Sequence, residues 1–216
     1  MSDGSPISGE LVLASANLHK VEELERLIAD WPVRVLTMAD LGPWPDVDET
    51  GDTYLENARL KAAAVAAATG LPALADDSGI EVDALGGGPG PRSARFAGPD
   101  ASDEDNNRLL VTLLAGRPPE ERTARYRCVA VVVVPRGAEA WAEATCEGRI
   151  GFEPRGSGGF GYDPWFIPRG DERTMAELTT EEKDAISHRG RALRALRHEV
   201  EVMLGQVPRL PPETPA

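Results

Sequence analysis

Two adjacent carboxylates, a serine and a glycine stand together as Asp76-Asp77-Ser78-Gly79, after the apolar residues 72–75. Residues 72–76 read as a short strand that ends in the acidic pair. Neighbouring carboxylates repel each other, so a strand end tolerates them where a cation or hydrogen bonds offset the charge. Ligands of open α/β sheets bind outside the carboxyl ends of strands. Asp77 in that place suits binding Mg²⁺ and orienting or deprotonating a water. An Asp-rich turn before glycine is the plainer reading of the same residues. Asp46, Asp48 and Glu49 lie in an earlier polar loop, either as further oxygens for one metal or as solvated charge.

A second group is Ser15-Ala16-Asn17-Leu18-His19-Lys20, between an apolar run and a helical pattern. Asn17 is placed as an N-cap, which puts Lys20 at N3. A lysine opposes the helix dipole there, unless an anion such as phosphate lies between them. A capped helix with a solvated lysine fits as well. Residues 156–163 read Gly-Ser-Gly-Gly-Phe-Gly-Tyr-Asp and contain a formal GxGxxG. The Asp163-Pro164-Trp165 that follows cannot open the helix which a dinucleotide fingerprint needs. A glycine-flanked Phe160 free to stack a base, with Asp163 as a nearby acceptor, fits better; so does a tight turn with Phe160 in the core. Lys183, Ser187, His188 and Arg189 lie close together near the end. Asp184, Ser187 and His188 cannot form an in-line relay as helix neighbours. A cationic face for a base or phosphate is the remaining reading.

The elements that must position these groups follow from periodicity. Residues 10–14 and 33–36 read as buried strands. Val21, Leu24, Leu27 and Ile28 stripe one side of the first helix, with Glu22, Glu25 and Arg26 opposite. Thr53 and Glu56 form a capping box that opens an alanine-rich helix carrying Asn57 and Lys61 on one face. Gly70 and Pro72 stop it. Ser102 caps a helix with Leu109, Leu110, Leu113 and Leu114. Residues 126–134 and 138–147 flank Pro135-Arg136-Gly137 as a β-hairpin. A turn centred on Gly137 sets Cys128 opposite Cys146, a reduced core pair. The last helix starts at Thr179 or Thr180 and runs to Leu204, with a break or close backbone approach near Gly190. The pattern is an α/β domain with a mixed sheet. It covers residues 10–206, between flexible segments at 1–9 and 207–216.

Composition narrows the function. The chain has 216 residues, 41% hydrophobic, which suits a packed globular core. A net charge of −13 disfavours a nucleic acid polymer as partner. Its 2 cysteines are too few for a disulfide framework or a four-ligand zinc site. Without a secretory pattern or an apolar run long enough to span a bilayer, a cytoplasmic protein with no membrane partner is expected. Lysine remains only at Lys20, Lys61 and Lys183, all beside the groups above.

Together, and in this order, the motifs resemble the inosine triphosphate pyrophosphatase family. The match runs from Leu11 to about Leu196. It includes Ser15 to Lys20, Glu49-Thr50-Gly51, Glu56-Asn57-Ala58 with Lys61, and Ala75 to Gly79. It continues through Gly87-Gly88-Pro89-Gly90, Ser93-Ala94-Arg95-Phe96, Gly159 to Pro164, Ala176-Glu177-Leu178, Glu182-Lys183 and Ile186 to Gly190. The resemblance implies an elongated mixed sheet with flanking helices, two lobes around a central cleft, and a homodimer. It implies Mg²⁺-dependent hydrolysis of dITP, ITP and XTP to the nucleoside monophosphate and pyrophosphate. By the same resemblance, Ser15, Ala16, Asn17, Leu18, His19, Lys20 and Lys61 hold the triphosphate. Asp77 is the metal-bound general base, Glu49 a second metal ligand and Asp76 a helper. Ser78 touches the substrate, and Phe160 stacks on the purine. Gly161, Tyr162, Asp163, Lys183, His188 and Arg189 line the base and sugar end. Leu18-His19 replaces the glycine that many relatives carry before the lysine. A Maf-like pyrophosphatase of other nucleotides and a non-catalytic nucleotide sensor are the competing readings.

Overall fold

A computed structural model describes residues 9–45 and 47–205. The terminal segments expected to be flexible lie outside the described residues, except Gly9, which opens the first strand. Asp46 lies outside them as well. Six strands form one mixed sheet: β1 (Gly9–Leu13), β2 (Val33–Leu36), β3 (Ala73–Val82), β4 (Thr123–Val133), β5 (Glu139–Ile150) and β6 (Phe166–Pro168), in the spatial order β2-β1-β3-β4-β5-β6. β1 is parallel to β2 and β3, and all pairs from β3 to β6 are antiparallel.

The helices are α1 (Leu18–Leu27), α2 (Met38–Leu41), α3 (Tyr54–Thr69), α4 (Asp103–Leu113), α5 (Thr180–Ile186) and α6 (His188–Gly205). Their starts are where the capping residues put them. Asn17 accepts the Lys20 N–H at 3.2 Å, and Thr53 with Glu56 forms a reciprocal box on α3. Ser102 and Thr179 cap α4 and α5 in the same way. Only α2 has no counterpart in the sequence reading. It is one turn inside the polar loop, held by its own Thr37–Asp40 box.

Strand alternation divides the core between the two faces of the sheet. Leu74, Cys128, Ala130 and Val132 pack with Leu24, Leu193 and Leu196 of α1 and α6. Ala73, Ala75, Val129 and Val131 pack with Ala58, Ala62 and Val65 of α3. A third cluster, with Ile80, Leu110, Tyr126 and Phe166, extends the core toward α4 and β6.

Three sequence expectations are corrected. β3 does not stop at Asp76 but continues through the acidic pair to Val82, because β4 pairs with it residue by residue over that whole length. β1 meets β3 only at Ala73 and Leu74. From Ala75 to Gly79 the β1 side of β3 is therefore open, before Ile80 N–H donates to Ser93 Oγ and Glu81 bridges Pro89, and the end that matters is that of β1. The hairpin turns about Arg136 (φ 53°), one residue earlier than expected, so Cys146 faces Tyr126 and Cys128 faces Ala144. The last helix breaks at Ser187, which is extended (φ −63°, ψ 151°), three residues before Gly190.

Gly190 itself marks a close approach. A Cβ there would lie 2.3 Å from the Asp184 carbonyl oxygen, across the α5–α6 joint. Glycine to alanine in a helix interior ordinarily stabilises by up to about 1 kcal/mol. Here the clash reverses the sign, and Gly190→Ala is expected to destabilise by about 1–3 kcal/mol. Urea unfolding measures it; a neutral or stabilising result would show that the joint yields freely.

Candidate active site

Where β1 leaves the sheet, the opened edge of β3 forms one wall of a cleft of about 780 Å³. Asn17, Lys20, Glu49, Asp77 and Ser78 line one part; Phe160, Asp163, Lys183, His188 and Arg189 line another.

The acidic pair is split by the strand. Asp76 lies on the α1–α6 face, 3% exposed, with its Oδ2 accepting from Arg189 Nε at 3.2 Å and Nη2 at 3.1 Å. Lys20 Nζ is 3.7 Å from the same oxygen. Burial opposes the Asp76 charge, but Arg189, Lys20 and Lys61 outweigh it and hold the carboxyl far below its usual range. Asp77 lies on the α3 face, where Asn57 Nδ2 donates to its Oδ2 at 3.3 Å and Lys61 Nζ to its Oδ1 at 3.5 Å. Burial pushes this carboxyl up, and Lys61 and Lys20 offset only part of the rise. The two neighbouring carboxylates thus sit in environments that push them in opposite directions, Asp76 held charged by its cations and Asp77 raised by burial.

Glu49 reaches Asp77 through a shared cation. Lys61 Nζ donates to Glu49 Oε1 at 2.7 Å, so both carboxylates converge on one ammonium group. Burial opposes the Lys61 charge, but Asp77, Asp76 and Glu49 together raise its pKa. Among the described residues, no group of three or more His, Cys, Asp or Glu is arranged around a metal position. A pair of carboxylates is nevertheless what Mg²⁺ commonly uses when substrate phosphates and waters complete its shell. Glu49 and Asp77 fit that pattern. Asp76, expected as a helper, is turned to the opposite face by period-2 alternation, with Arg189 on its Oδ2.

At the other end, Asp163 organises the glycine-rich segment. Its Oδ2 accepts the Phe160 N–H at 3.0 Å and Lys183 Nζ at 2.7 Å, while its Oδ1 accepts the Tyr126 hydroxyl at 3.0 Å. Gly159 (φ +71°) admits this fold-back, since a Cβ would stand 2.0 Å from Asp163 Oδ2. The segment is a turn without a following helix, as the dinucleotide reading's failure required. Lys183 Nζ and the Arg189 guanidinium carbon lie 5.1 and 5.7 Å from the centre of the Phe160 ring. His188 stacks on Tyr126 at 4.6 Å, and its buried Nδ1 has no hydrogen-bond partner among the described residues. Ser78 Oγ accepts from Arg189 Nη2 at 2.8 Å.

Not every predicted residue reaches the cleft wall. Ser15 caps the turn by accepting the Asn17 N–H at 3.2 Å. Ala16 is exposed, and Leu18 is 75% exposed. His19 lines an adjoining cavity and stacks on Phe160, with ring centres 5.9 Å apart. Gly161 and Tyr162 do line the cleft; the Gly161 N–H donates to Asp103 at 2.7 Å, and the Tyr162 hydroxyl to the Ser93 carbonyl at 2.8 Å. Ser187 accepts the Gly190 N–H and Asp184 pairs with Arg26, so neither belongs to a triad. Sequence reasoning missed Glu23, which is 3% exposed and lies 3.1 Å from Arg189 Nη1 and 3.6 Å from Lys183 Nζ. Its signal was an acid four residues before Leu27 on the packed side of α1. Tyr126, Ser93 and Asp103 were missed too; only contacts distant in sequence reveal them.

Comparison with known proteins agrees with this geometry. The model of the Ham1 family matches residues 11–199, nearly the whole described fold. The chain belongs to the Ham1 family. It is 50% identical over 194 residues to a dITP/XTP pyrophosphatase of Syntrophobacter fumaroxidans, covering 90% of this chain and 83% of the relative. A dITP/XTP pyrophosphatase of Streptomyces coelicolor is 50% identical over 197 residues, with 90% and 98% covered. The Staphylococcus aureus Ham1 protein superposes with a TM-score of 0.79 at 39% identity, over 90% of this chain and 99% of that one. The family resemblance and the mixed α/β fold read from the sequence are thereby borne out.

The buried imidazole makes the site a source of pH-dependent stability. Burial, then Arg189 and Lys183, hold His188 well below its usual range, with Asp76 opposing and Lys20 adding to the fall. It stays neutral in the fold, while the unfolded chain takes up a proton below about pH 6.5. Stability attributable to His188 is therefore lost as pH falls through that value. Replacing it by glutamine is expected to flatten the decline between pH 7 and 5.5 by about 1 kcal/mol. Parallel melting curves for His188→Gln and the parent protein across that range would show that His188 is not held neutral.

Proposed function

We propose that the chain hydrolyses non-standard purine nucleoside triphosphates (dITP, ITP and XTP) to the nucleoside monophosphate and pyrophosphate, removing them from the nucleotide pool. One observation carries the reading. A single cleft holds a helix start with its lysine, two carboxylates suited to a divalent cation, and an aromatic ring flanked by donor groups. Relatives about 50% identical over nine-tenths of the chain are dITP/XTP pyrophosphatases.

In this proposal Glu49 and Asp77 hold Mg²⁺, which neutralises phosphate charge and acidifies water when bound. The free N–H groups at the start of α1, with Lys20 and Lys61, bind the triphosphate. Asp77 takes the proton from the water that attacks the α–β phosphoanhydride, and Asn57 fixes the carboxylate that does so. Positioning and charge neutralisation supply most of the acceleration in such a transfer. Phe160 stacks on the purine. Lys183 and Arg189 carry donors only, so they suit the 6-oxo acceptor of hypoxanthine and xanthine. An adenine 6-amino group would meet donors and leave a buried polar atom unpaired.

A cytoplasmic homodimer completes the proposal; no described helix is long and apolar enough to cross a membrane. Light scattering is expected to give twice the mass of one chain, and the mass of a single chain would remove the dimer. Pyrophosphate release across dITP, XTP, dUTP and dGTP tests the activity. We expect Mg²⁺-dependent turnover with kcat/KM for dITP and XTP at least about 10-fold above dGTP. Rates no better than on dGTP would defeat the specificity. Asp77→Asn is expected to lower kcat by about 10²-fold or more with substrate binding still measurable. Near-normal turnover in that variant would remove Asp77 as the base.

A further inference from the structure

Glu49 stands in a stretch without regular structure, residues 47–53 ahead of α3. Its C-terminal end is tied to α3, where the Asp52 and Thr53 N–H groups donate to Glu56 Oε2 at 2.9 and 3.0 Å. Thr50 N–H donates to the Asp48 carbonyl at 2.9 Å, and Gly51 N–H to Asn57 Oδ1 at 2.8 Å. Lys61 of α3 anchors Glu49 Oε1 at 2.7 Å, and Oε2 with the Glu49 carbonyl takes a second anchor. Arg95 supplies it from another element. Its Nη1 lies 3.3 Å from Glu49 Oε2, and its Nη2 donates to the Glu49 carbonyl at 3.2 Å.

The anchor is itself rigid. Arg95 ends the 3-10 turn Gly90–Arg95, which lies against the open stretch of β3. Ser93 Oγ accepts the Ile80 N–H at 2.8 Å and donates to the Gly90 carbonyl at 2.6 Å. The Tyr162 hydroxyl takes the Ser93 carbonyl, and Asn106 Nδ2 takes the Ala94 carbonyl at 3.0 Å. Asn106 Oδ1 also accepts the Ala97 N–H at 2.8 Å. Backbone on both sides of Arg95 is thus fixed to β3, α4 and the glycine-rich segment. The two Arg95 contacts leave Glu49 Oε1 to Lys61, the ammonium it shares with Asp77.

We propose that Arg95 is a positioning residue that clamps the Glu49 loop so that this carboxylate is preset beside Asp77 for the divalent cation. The inference rests on the metal pair of the proposed function and assigns Arg95 a role there without contact to the cation. Partners that orient a ligand typically change metal affinity by about 10–100-fold when removed. A lysine can keep one contact but not the fork that holds carboxylate and carbonyl together.

The test is Mn²⁺ binding to the nucleotide-free protein by electron paramagnetic resonance, with Mg²⁺ as competitor. Arg95→Gln is expected to weaken Mn²⁺ binding about 10-fold or more, and Arg95→Lys by less. The Mg²⁺ concentration for half-maximal turnover should rise in parallel, with kcat at saturating Mg²⁺ little changed. A merely structural role for Arg95 would lower the melting temperature and leave Mn²⁺ affinity within twofold of the parent, which would overturn the proposal. Glu49→Gln separates the two levels. If it abolishes Mn²⁺ binding while Arg95→Gln does not, the metal pair stands and the clamp fails. If Glu49→Gln leaves binding intact, the metal pair fails and the clamp with it.

Discussion

The buried ion network around Arg189 is the constraint on which the rest of the site depends. The guanidinium is 2% exposed and spans Glu23 of α1, Asp76 of β3 and Ser78, from the first turn of α6. Lys183 of α5 continues it from Glu23 to Asp163. Charges so far from water are tolerated only when fully paired, and removing one partner typically costs about 3–5 kcal/mol. The network thereby ties three helices, a strand and the glycine-rich segment into one arrangement. Its remaining orphan atoms, Glu23 Oε1, Asp76 Oδ1 and His188 Nδ1, are what a protein keeps where it holds polar groups for a purpose other than stability.

Around that network, the pleat of β3 distributes the chemistry. Alternation sends Asp76 to the side where arginine pairs with it, and Asp77 to the side where a lysine and an amide meet it. The short overlap with β1 then opens the edge of β3 at these residues. A longer β1 would have paired them and closed the cleft. A reaction centre here is a place where sheet pairing runs out on one side only.

Much of the framework was legible because it rests on local physics. Asn17, Thr53, Ser102 and Thr179 each satisfied a helix's free N–H groups within three residues, so their helices began where the sequence placed them. The failure of residues 156–163 as a dinucleotide loop was equally local, since Pro164 forbids the helix. What escaped was set by partners far along the chain. The hairpin register moved because Arg136, and not Gly137, takes the centre of the turn. The break of the last helix moved to Ser187 because Gly190 packs its backbone on Asp184. Glu23 looked like one more acid on a polar helix until α5 and α6 brought two cations to it.

By itself, then, the sequence determined which groups are available: the acidic pair, three lysines, a glycine-flanked phenylalanine, and a histidine with an arginine. It also determined the helix starts that hold several of them, since caps and turns act over a few residues. Tertiary structure alone decided their assignment. Asp76 and Asp77 are chemically identical neighbours, and only the two faces of a strand, packed on different helices, give one a buried arginine partner and the other a lysine and an amide. Likewise Arg95 and Glu49 are 46 residues apart, and only the turn pinned to β3 brings them together. Such roles depend on charge at short distance in a poorly screened interior, and sequence order does not carry that distance.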